Sequence, residues 1–174
     1  MGVSIEALTP ERAREAEHDL VVLLDDAVAG GASVGFLPPL DPVVARAYWR
    51  DTIAAVAAGR RVLLLAREGD AAVGTGQLGF PAMPNGRHRA EVMKLMVLRS
   101  ARRRGIGRAL MLALEDEARR RGRTTLVLDT RQGDVSERLY ASLGWRLAGI
   151  IPAYAESADG RLDATAVYYK RLDV

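Results

Sequence analysis

The chain has no cysteine, only two histidines and, among its 25 cationic side chains, only two lysines, Lys94 and Lys170. Without cysteine there is no disulfide framework and no thiolate chemistry from the protein itself. Long apolar runs are also missing. No window approaches the length and purity of a membrane span, and "MGVSIEALTPER" turns polar and acidic too early for a secretory leader. A cytoplasmic protein with no membrane partner is the expectation. Charge of one sign is not in large excess either: the formal net charge is +3. Composition therefore does not demand a nucleic-acid partner, and none is expected. What remains is a 174-residue chain, 49% apolar, enough to bury a sizeable core as one domain over residues 1–174.

The hydrophobic pattern orders the elements. Residues 3–8, "VSIEAL", alternate as a strand. Thr9-Pro10-Glu11 gives an N-cap with proline at the first helical position, and Ala13, Ala16, Leu20, Leu23, Leu24 and Ala27 continue at helical spacing. That spacing predicts one helix over residues 10–28. "GGASVGFLPPLDP" is a breaker-rich loop, and Asp41-Pro42 opens a second helix that stops at Gly59. "RVLLLAR" and "AAVGTGQLGF" form a hairpin around "EGD", and residues 89–98 are a further strand. A helix over residues 105–121, the strand "TTLVLDT", a short helix ending at Gly144 and two closing strands complete the chain. The order is β-α-α-β-β-β-α-β-α-β-β. It predicts a mixed α/β (α+β) domain whose central sheet is mostly antiparallel, with about seven strands and about four flanking helices. The strand–helix–strand unit over residues 89–130 allows one parallel pair.

Two familiar patterns lack their structural context. "GASVG" matches G-x-S-x-G, but a helix precedes it and prolines follow, where a nucleophile elbow needs a strand and then a helix. "GTGQLG" matches G-x-G-x-x-G, but its glycines lie inside a strand and Phe80-Pro81 follow. Close backbone approach within a sheet accounts for it better.

"RSARRRGIGRAL", residues 99–110, does have its context. A strand leads in, a short loop follows, and Arg104-Gly105-Ile106-Gly107 opens an amphipathic helix. The first turn of a helix offers free N–H groups and a partial positive charge, which suits phosphate. Glycines at 105 and 107 let a pyrophosphate approach the backbone, and arginines at 102, 103, 104 and 108 add countercharge. No lysine-serine/threonine pair follows, so this is not a P-loop.

The spacing Arg102-x-x-Gly105-x-Gly107, after Val97 on a strand, resembles the R/Q-x-x-G-x-G/A motif of the GNAT N-acetyltransferase family. "SERLYASLGW" is similar to a later helix of that family. "GGASVGF", "NGRHRAEVMKLMVLRSARRRGIGRAL", "LVLDTRQGDVSERLYASLGW" and "PAYAESADGRLDATAVYYK" more narrowly resemble its tabtoxin-resistance branch, acetyltransferases that inactivate a β-lactam toxin at its amine. The pattern departs at Arg99, where proline is common, and at Gly133, where asparagine is.

The resemblance implies the GNAT fold and acetyl-coenzyme A as cosubstrate, with no metal. It implies that Arg102, Arg103, Arg104, Gly105, Ile106, Gly107 and Arg108 hold the pyrophosphate. Backbone of Leu95, Met96 and Val97 would pair with the pantetheine arm, and Ser136 would contact the coenzyme. Tyr140 matches the family's general acid; a phenol of pKa about 10 is protonated at neutral pH and can meet a departing thiolate. Glu91, six residues before Val97, matches the base of histone-acetylating members. Asp129 stands where the toxin-resistance branch has an aspartate, as base or amine ligand. Between Glu91 and Asp129 the choice of base stays open. Ser33 and Phe36 on the first loop, and Tyr154 in the loop before the last strand, would contact the acceptor. "DEARRRGR", from Asp116, reads as a solvated helix end.

The expected activity is acetyl transfer from acetyl-coenzyme A to a primary amine of a small molecule, toxins and antibiotics included, by direct attack in a ternary complex. The alternatives are an inactive acyl-coenzyme-A-binding sensor or partner domain, or acetylation of a protein or polyamine amine. A nucleic-acid binder would want aromatic or base-reading side chains near the arginines, and none is there. The closing strands are suited to pairing two copies as a homodimer.

Overall fold

A computed structural model describes residues 2–172. Seven strands form one sheet in the order β1-β2-β3-β4-β5-β7-β6. They are β1 (Val3–Ala7), β2 (Arg61–Glu68), β3 (Ala71–Gly79), β4 (Arg89–Val97), β5 (Thr125–Arg131), β6 (Arg146–Glu156) and β7 (Leu162–Arg171). The helices are α1 (Pro10–Glu15), α2 (Glu17–Ala29), α3 (Pro42–Ala57), α4 (Ile106–Arg120) and α5 (Ser136–Ser142). Every neighbouring pair of strands is antiparallel except β4 and β5. The mixed, mostly antiparallel sheet is the one the element order predicts. Among the described residues, no helix is long and apolar enough to cross a membrane.

The helix count is five, not four, because the first predicted helix is two. Thr9 caps α1 by accepting from the Arg12 N–H, and the chain leaves helical geometry at Ala16 (φ −88°, ψ 5°) before α2 begins. Ala13, Ala16 and Leu20 are all buried across the break, so their spacing carries no trace of it. The break lets α1 pack on α3 while α2 lies against β3 and β4.

The sheet is covered on both faces. On one, Val62, Leu64, Ala90, Val92, Leu126 and Leu128 pack against Ile106, Leu110 and Leu114 of α4. On the other, Leu63, Leu65 and Met96 pack against Leu20, Leu24, Trp49 and Ile53 of α2 and α3. Strand β2 therefore reads as a continuous apolar run, as a strand buried on both sides must. The glycines of "GTGQLG" serve this packing: a Cβ on Gly74 would stand 3.1 Å from Leu110, and one on Gly76 3.0 Å from Leu114.

Strand β6 is longer than predicted and takes in Tyr154, which was expected in a loop. An irregularity between Ile151 and Ala155, with Ala153 in a left-handed conformation (φ 50°), carries the pairing with β7 across residues that look loop-like in sequence. The end of α4 also departs from expectation. Glu117 is 7% exposed, and Arg120 and Arg121 fold back onto it as ion pairs. Glu115 is buried as well.

Candidate functional site

The site grows from the one parallel pairing. Strands β4 and β5 are in register only from Arg89–Thr125 to Glu91–Val127. Beyond Glu91 they part, while β4 stays paired with β3 through Val97. Residues 92–97, including the predicted Leu95, Met96 and Val97, thus have a backbone edge facing the gap with no strand on it. Such an edge can accept an extended ligand as an added strand. The Leu95 and Val97 side chains pack on the α4 face, and that of Met96 on the α2–α3 face. Backbone duty at the slot and side-chain duty in the core are compatible.

Next to the slot, α4 begins at Ile106 with Gly105 as N-cap (φ 81°) and no side-chain capping bond. A left-handed N-cap suits glycine. Its first-turn N–H groups are left for another partner. Gly107 sits in that turn, and a Cβ there would meet Leu139 at 3.5 Å, ordinary contact distance. The arginines divide by role. Arg99 binds Asp26 at 2.9 Å, and Arg104 pairs with Glu68. Arg102 donates to the Val97 carbonyl at 3.2 Å, bracing the loop, and Arg108 donates to Ser142 Oγ at 3.2 Å. Arg103 is exposed, in a left-handed conformation (φ 65°). Two cations of the run, Arg99 and Arg104, are thus spent on carboxylates of other elements. Among the described residues, Arg102, Arg103 and Arg108 are the ones of this run left without an acidic partner in ion-pair range.

Three of the predicted side chains, Tyr140, Glu91 and Asp129, are close enough for the Asp129 charge to act on the other two. Tyr140 on α5 is 6% exposed and packs against Trp145 and Tyr168, with ring centroids 6.3 and 5.9 Å away. Burial pushes its phenol up to about 12, and the charges of Asp134 and Asp129 add to the rise. Glu91 has solvent access, yet the surrounding walls desolvate its carboxyl and raise its pKa. Asp129 raises it further, while Lys94 and Arg61 oppose the rise. One aspartate thus acts on both the acid and base candidates. Thr165 Oγ1 donates to Asp129 at 2.9 Å and holds it. Ser136 shares a 2.8 Å hydrogen bond with Thr130 Oγ1 at the start of α5.

The acceptor candidates are split. Ser33 and Phe36 line an open cavity of about 260 Å³ between the α2–α3 loop, Arg131 and residues 155–158. Tyr154 is 54% exposed and does not line it. Arg131 is already engaged there by Asp163 and by the Gly31 carbonyl.

Sequence reasoning missed Lys94, Arg61, Tyr48 and Gln77. Arg61 donates to Thr52 Oγ1 at 3.2 Å and Gln77 Oε1 at 3.1 Å, and Gln77 also bonds Tyr48. Lys94 lies over the Tyr48 ring, 5.7 Å from its centroid. Burial, and then Arg61, lower the Lys94 pKa against the opposing pull of Asp129 and Glu91. The one signal available was an isolated lysine in an arginine-rich chain.

The profile of the Acetyltransferase (GNAT) family matches residues 41–145. An uncharacterised N-acetyltransferase from the hisH–hisA intergenic region of Azospirillum brasilense is 33% identical over 117 residues, 66% of this chain and 68% of that protein. The ribosomal protein bS18-alanine N-acetyltransferase of Escherichia coli K12 is 36% identical over 99 residues, 50% of this chain and 67% of that protein. In structure, yncA of Salmonella typhimurium, solved with its cofactor acetyl-CoA, superposes with a TM-score of 0.82 at 22% identity, covering 100% of this chain and 96% of that one.

Proposed function

The chain belongs to the acetyltransferase (GNAT) family and is an acetyl-CoA-dependent transferase; from that premise we propose that residues 1–174 act as one domain that acetylates a primary amine of a small molecule by direct attack in a ternary complex. The observation that carries this reading is the open β4 edge, where β4 and β5 part beyond Glu91, beside an uncapped helix start; the reading places Tyr140, Glu91 and Asp129 at that opening.

Acetyl-CoA supplies an activated thioester. The uncapped start of α4 with Gly105 and Gly107, flanked by Arg102, Arg103 and Arg108, would hold its pyrophosphate, with Ser136 nearby. Arg104 contributes little net charge because Glu68 already neutralises it. The free edge of Leu95, Met96 and Val97 would align the pantetheine arm, so that the two reactants share one slot; such positioning is worth several kcal/mol of barrier.

Glu91 takes the proton from the acceptor ammonium. Its raised pKa moves it toward the neutral range, where a base is most effective. Asp129 orients the amine and keeps Glu91 basic through its charge. Tyr140 donates its proton to the leaving thiolate, and the second proton shed by the acetylated nitrogen as the tetrahedral intermediate collapses restores the phenol. A phenol pushed up to about 12 is fully protonated at neutral pH, so it is ready to donate in every turnover. With no cysteine in the chain, no thiol carries the acetyl group between coenzyme and amine.

The likeness of the C-terminal segments to toxin-inactivating acetyltransferases supports a toxin or antibiotic amine as acceptor. Thiol release from acetyl-CoA across β-lactam toxins, amino acids, polyamines, aminoglycosides and a peptide with N-terminal alanine tests the reading. Turnover with a small amine supports it. Turnover only with the peptide replaces the acceptor class, and tight coenzyme binding with no turnover replaces catalysis with sensing.

A further inference from the structure

Lys94 combines three features that no other described residue shares: a left-handed backbone (φ 51°), partial burial and a formal charge. The backbone follows from a bulge. Strand β3 pairs Gln77 with Met93 and Thr75 with Met96, so Lys94 and Leu95 together oppose Gly76. Plain alternation would turn residue 94 toward α4, against Gly76 and Leu114. The extra residue instead gives Leu95 that apolar position and turns Lys94 to the α3 face, over Tyr48 and beside the α2–α3 loop. A Cβ built on Gly35 of that loop would stand 3.5 Å from the Lys94 ammonium. Bulges near active sites commonly re-aim one side chain, and a non-glycine residue holds this conformation only against a steric penalty.

The charges on this face are unpaired in a patterned way. Lys94 has no ion pair or hydrogen bond among the described residues. Arg61 donates from Nη1 to neutral Thr52 and Gln77. Among the described residues, Glu91 has no ion pair, and Asp129 accepts only from the Thr165 hydroxyl. Register places Arg61, Gly79 and Glu91 in one row across three strands, and Asp129 lies on β5 two residues beyond the partner of Glu91. The cleft therefore holds two cations on its β2–β4 side and two carboxylates at the β4–β5 gap, none neutralised within ion-pair distance among the described residues.

We propose that Lys94, supported by Arg61, seats a carboxylate of the acceptor, so that the acceptor is a compact amino acid whose amine lies toward Glu91 and Asp129. This rests on the acetyltransferase reading above. A polyamine or aminoglycoside would set its further cations against Lys94 and Arg61, and a simple monoamine would leave a half-buried ammonium without a counterion; both are disfavoured. Residues 91 and 94 are about 10 Å apart along a strand at ~3.3 Å per residue, before the bulge shortens the path and the side chains reach inward. That scale fits one amino acid better than an extended peptide.

The test compares kcat/KM for free amino acids, the same amino acids as carboxamides, and spermidine, in the wild-type protein and in Lys94→Asn and Lys94→Arg. Asparagine tolerates the left-handed backbone, and arginine keeps the charge. The expected wild-type preference for free acid over amide is on the order of 10- to 100-fold, the scale of a charge-assisted contact. Lys94→Asn should bring that ratio close to one, mainly through KM, and Lys94→Arg should keep most of it. Equal use of acid and amide, or preference for spermidine, overturns this inference and leaves the acetyltransferase reading standing. An unchanged ratio in folded Lys94→Asn also overturns it, and the wild-type ratio stands as a test even where a variant does not fold. Bound acetyl-CoA with no turnover of any amine overturns both.

Discussion

Lys170 on β7 places its ammonium 2.8 and 2.7 Å from the two carboxylate oxygens of Glu115 on α4, where the glutamate is 1% exposed. Trp145 Nε1 also donates to this carboxylate, at 3.0 Å, and the Leu143 carbonyl accepts from the lysine at 2.6 Å. The cluster ties α4 to β7 and to the C-terminal end of α5, the helix that carries Tyr140.

Lys170→Met should destabilise the fold by about 3 kcal/mol, because it leaves the buried Glu115 carboxylate with only the Trp145 N–H and the more distant, half-exposed Arg119, 3.6 Å away. Urea denaturation reads the loss. The double variant Lys170→Met, Glu115→Met should recover most of it, since removing both charges removes the penalty. Recovery stays incomplete because Trp145 Nε1 and the Leu143 carbonyl then lack partners. A double variant no more stable than the single one would contradict this account.

Tyr140→Phe should lower kcat by roughly 10²- to 10⁴-fold, the range of general acid catalysis. Acetyl-CoA affinity by calorimetry should stay within a few-fold of wild type, since the ring packing against Trp145 and Tyr168 survives. Full turnover in Tyr140→Phe would remove the phenol from the chemistry.

Gly107→Glu should abolish acetyl-CoA binding while leaving the thermal midpoint nearly unchanged. The added Cβ has room beside Leu139, so the fold tolerates it. The added carboxylate sits over the uncapped helix start and repels phosphate there. Retained affinity in calorimetry would place the pyrophosphate elsewhere.

The pKa of Glu91 is raised, so its ionised form is the one the fold disfavours. A folded pKa above the unfolded value gives stability that is present below the unfolded pKa and lost as pH rises through the folded pKa. Glu91→Gln should therefore raise the thermal midpoint at pH 7 by a small margin while cutting kcat/KM. The wild-type acid limb of kcat/KM should titrate above the ordinary carboxylate range and disappear in Glu91→Gln. No alkaline fall from Tyr140 should appear up to about pH 10, because its phenol is pushed up to about 12. An acid limb unchanged in Glu91→Gln would hand the base role to Asp129.

Much of this was legible in the sequence. Seven strands in chain order and the Gly105–Gly107 helix start depend on local pattern and turn chemistry, which a single chain displays. The rest depends on pairing. Lys94 looked like one more position on a strand because its orientation is set by a bulge against Gly76, a fact of register between β3 and β4. Glu115 and Lys170 lie 55 positions apart, and neither announces the other. Ala16 breaks a helix without glycine or proline, so only the docking of α1 on α3 reveals the break. Tyr154 was expected in a loop because "PAYAES" looks like a turn, yet β6 runs on through it and resumes its pairing with β7 at Ala155. The run "RSARRR" gives no hint that the partners of Arg99, Arg102 and Arg104 are an aspartate, a carbonyl and a glutamate.

The parting of β4 from β5 leaves an unpaired strand edge in the middle of a sheet rather than at its rim. Edges at the rim invite other chains to add on and aggregate. Here the edge opens only where β4 and β5 part beyond Glu91, with the start of α4 beside Val97, so it is an opening within the fold of the kind a slender ligand arm would enter. No rung has to be unzipped before such an arm docks, so its arrival is limited by orientation, and its residence by how firmly its charged end is gripped.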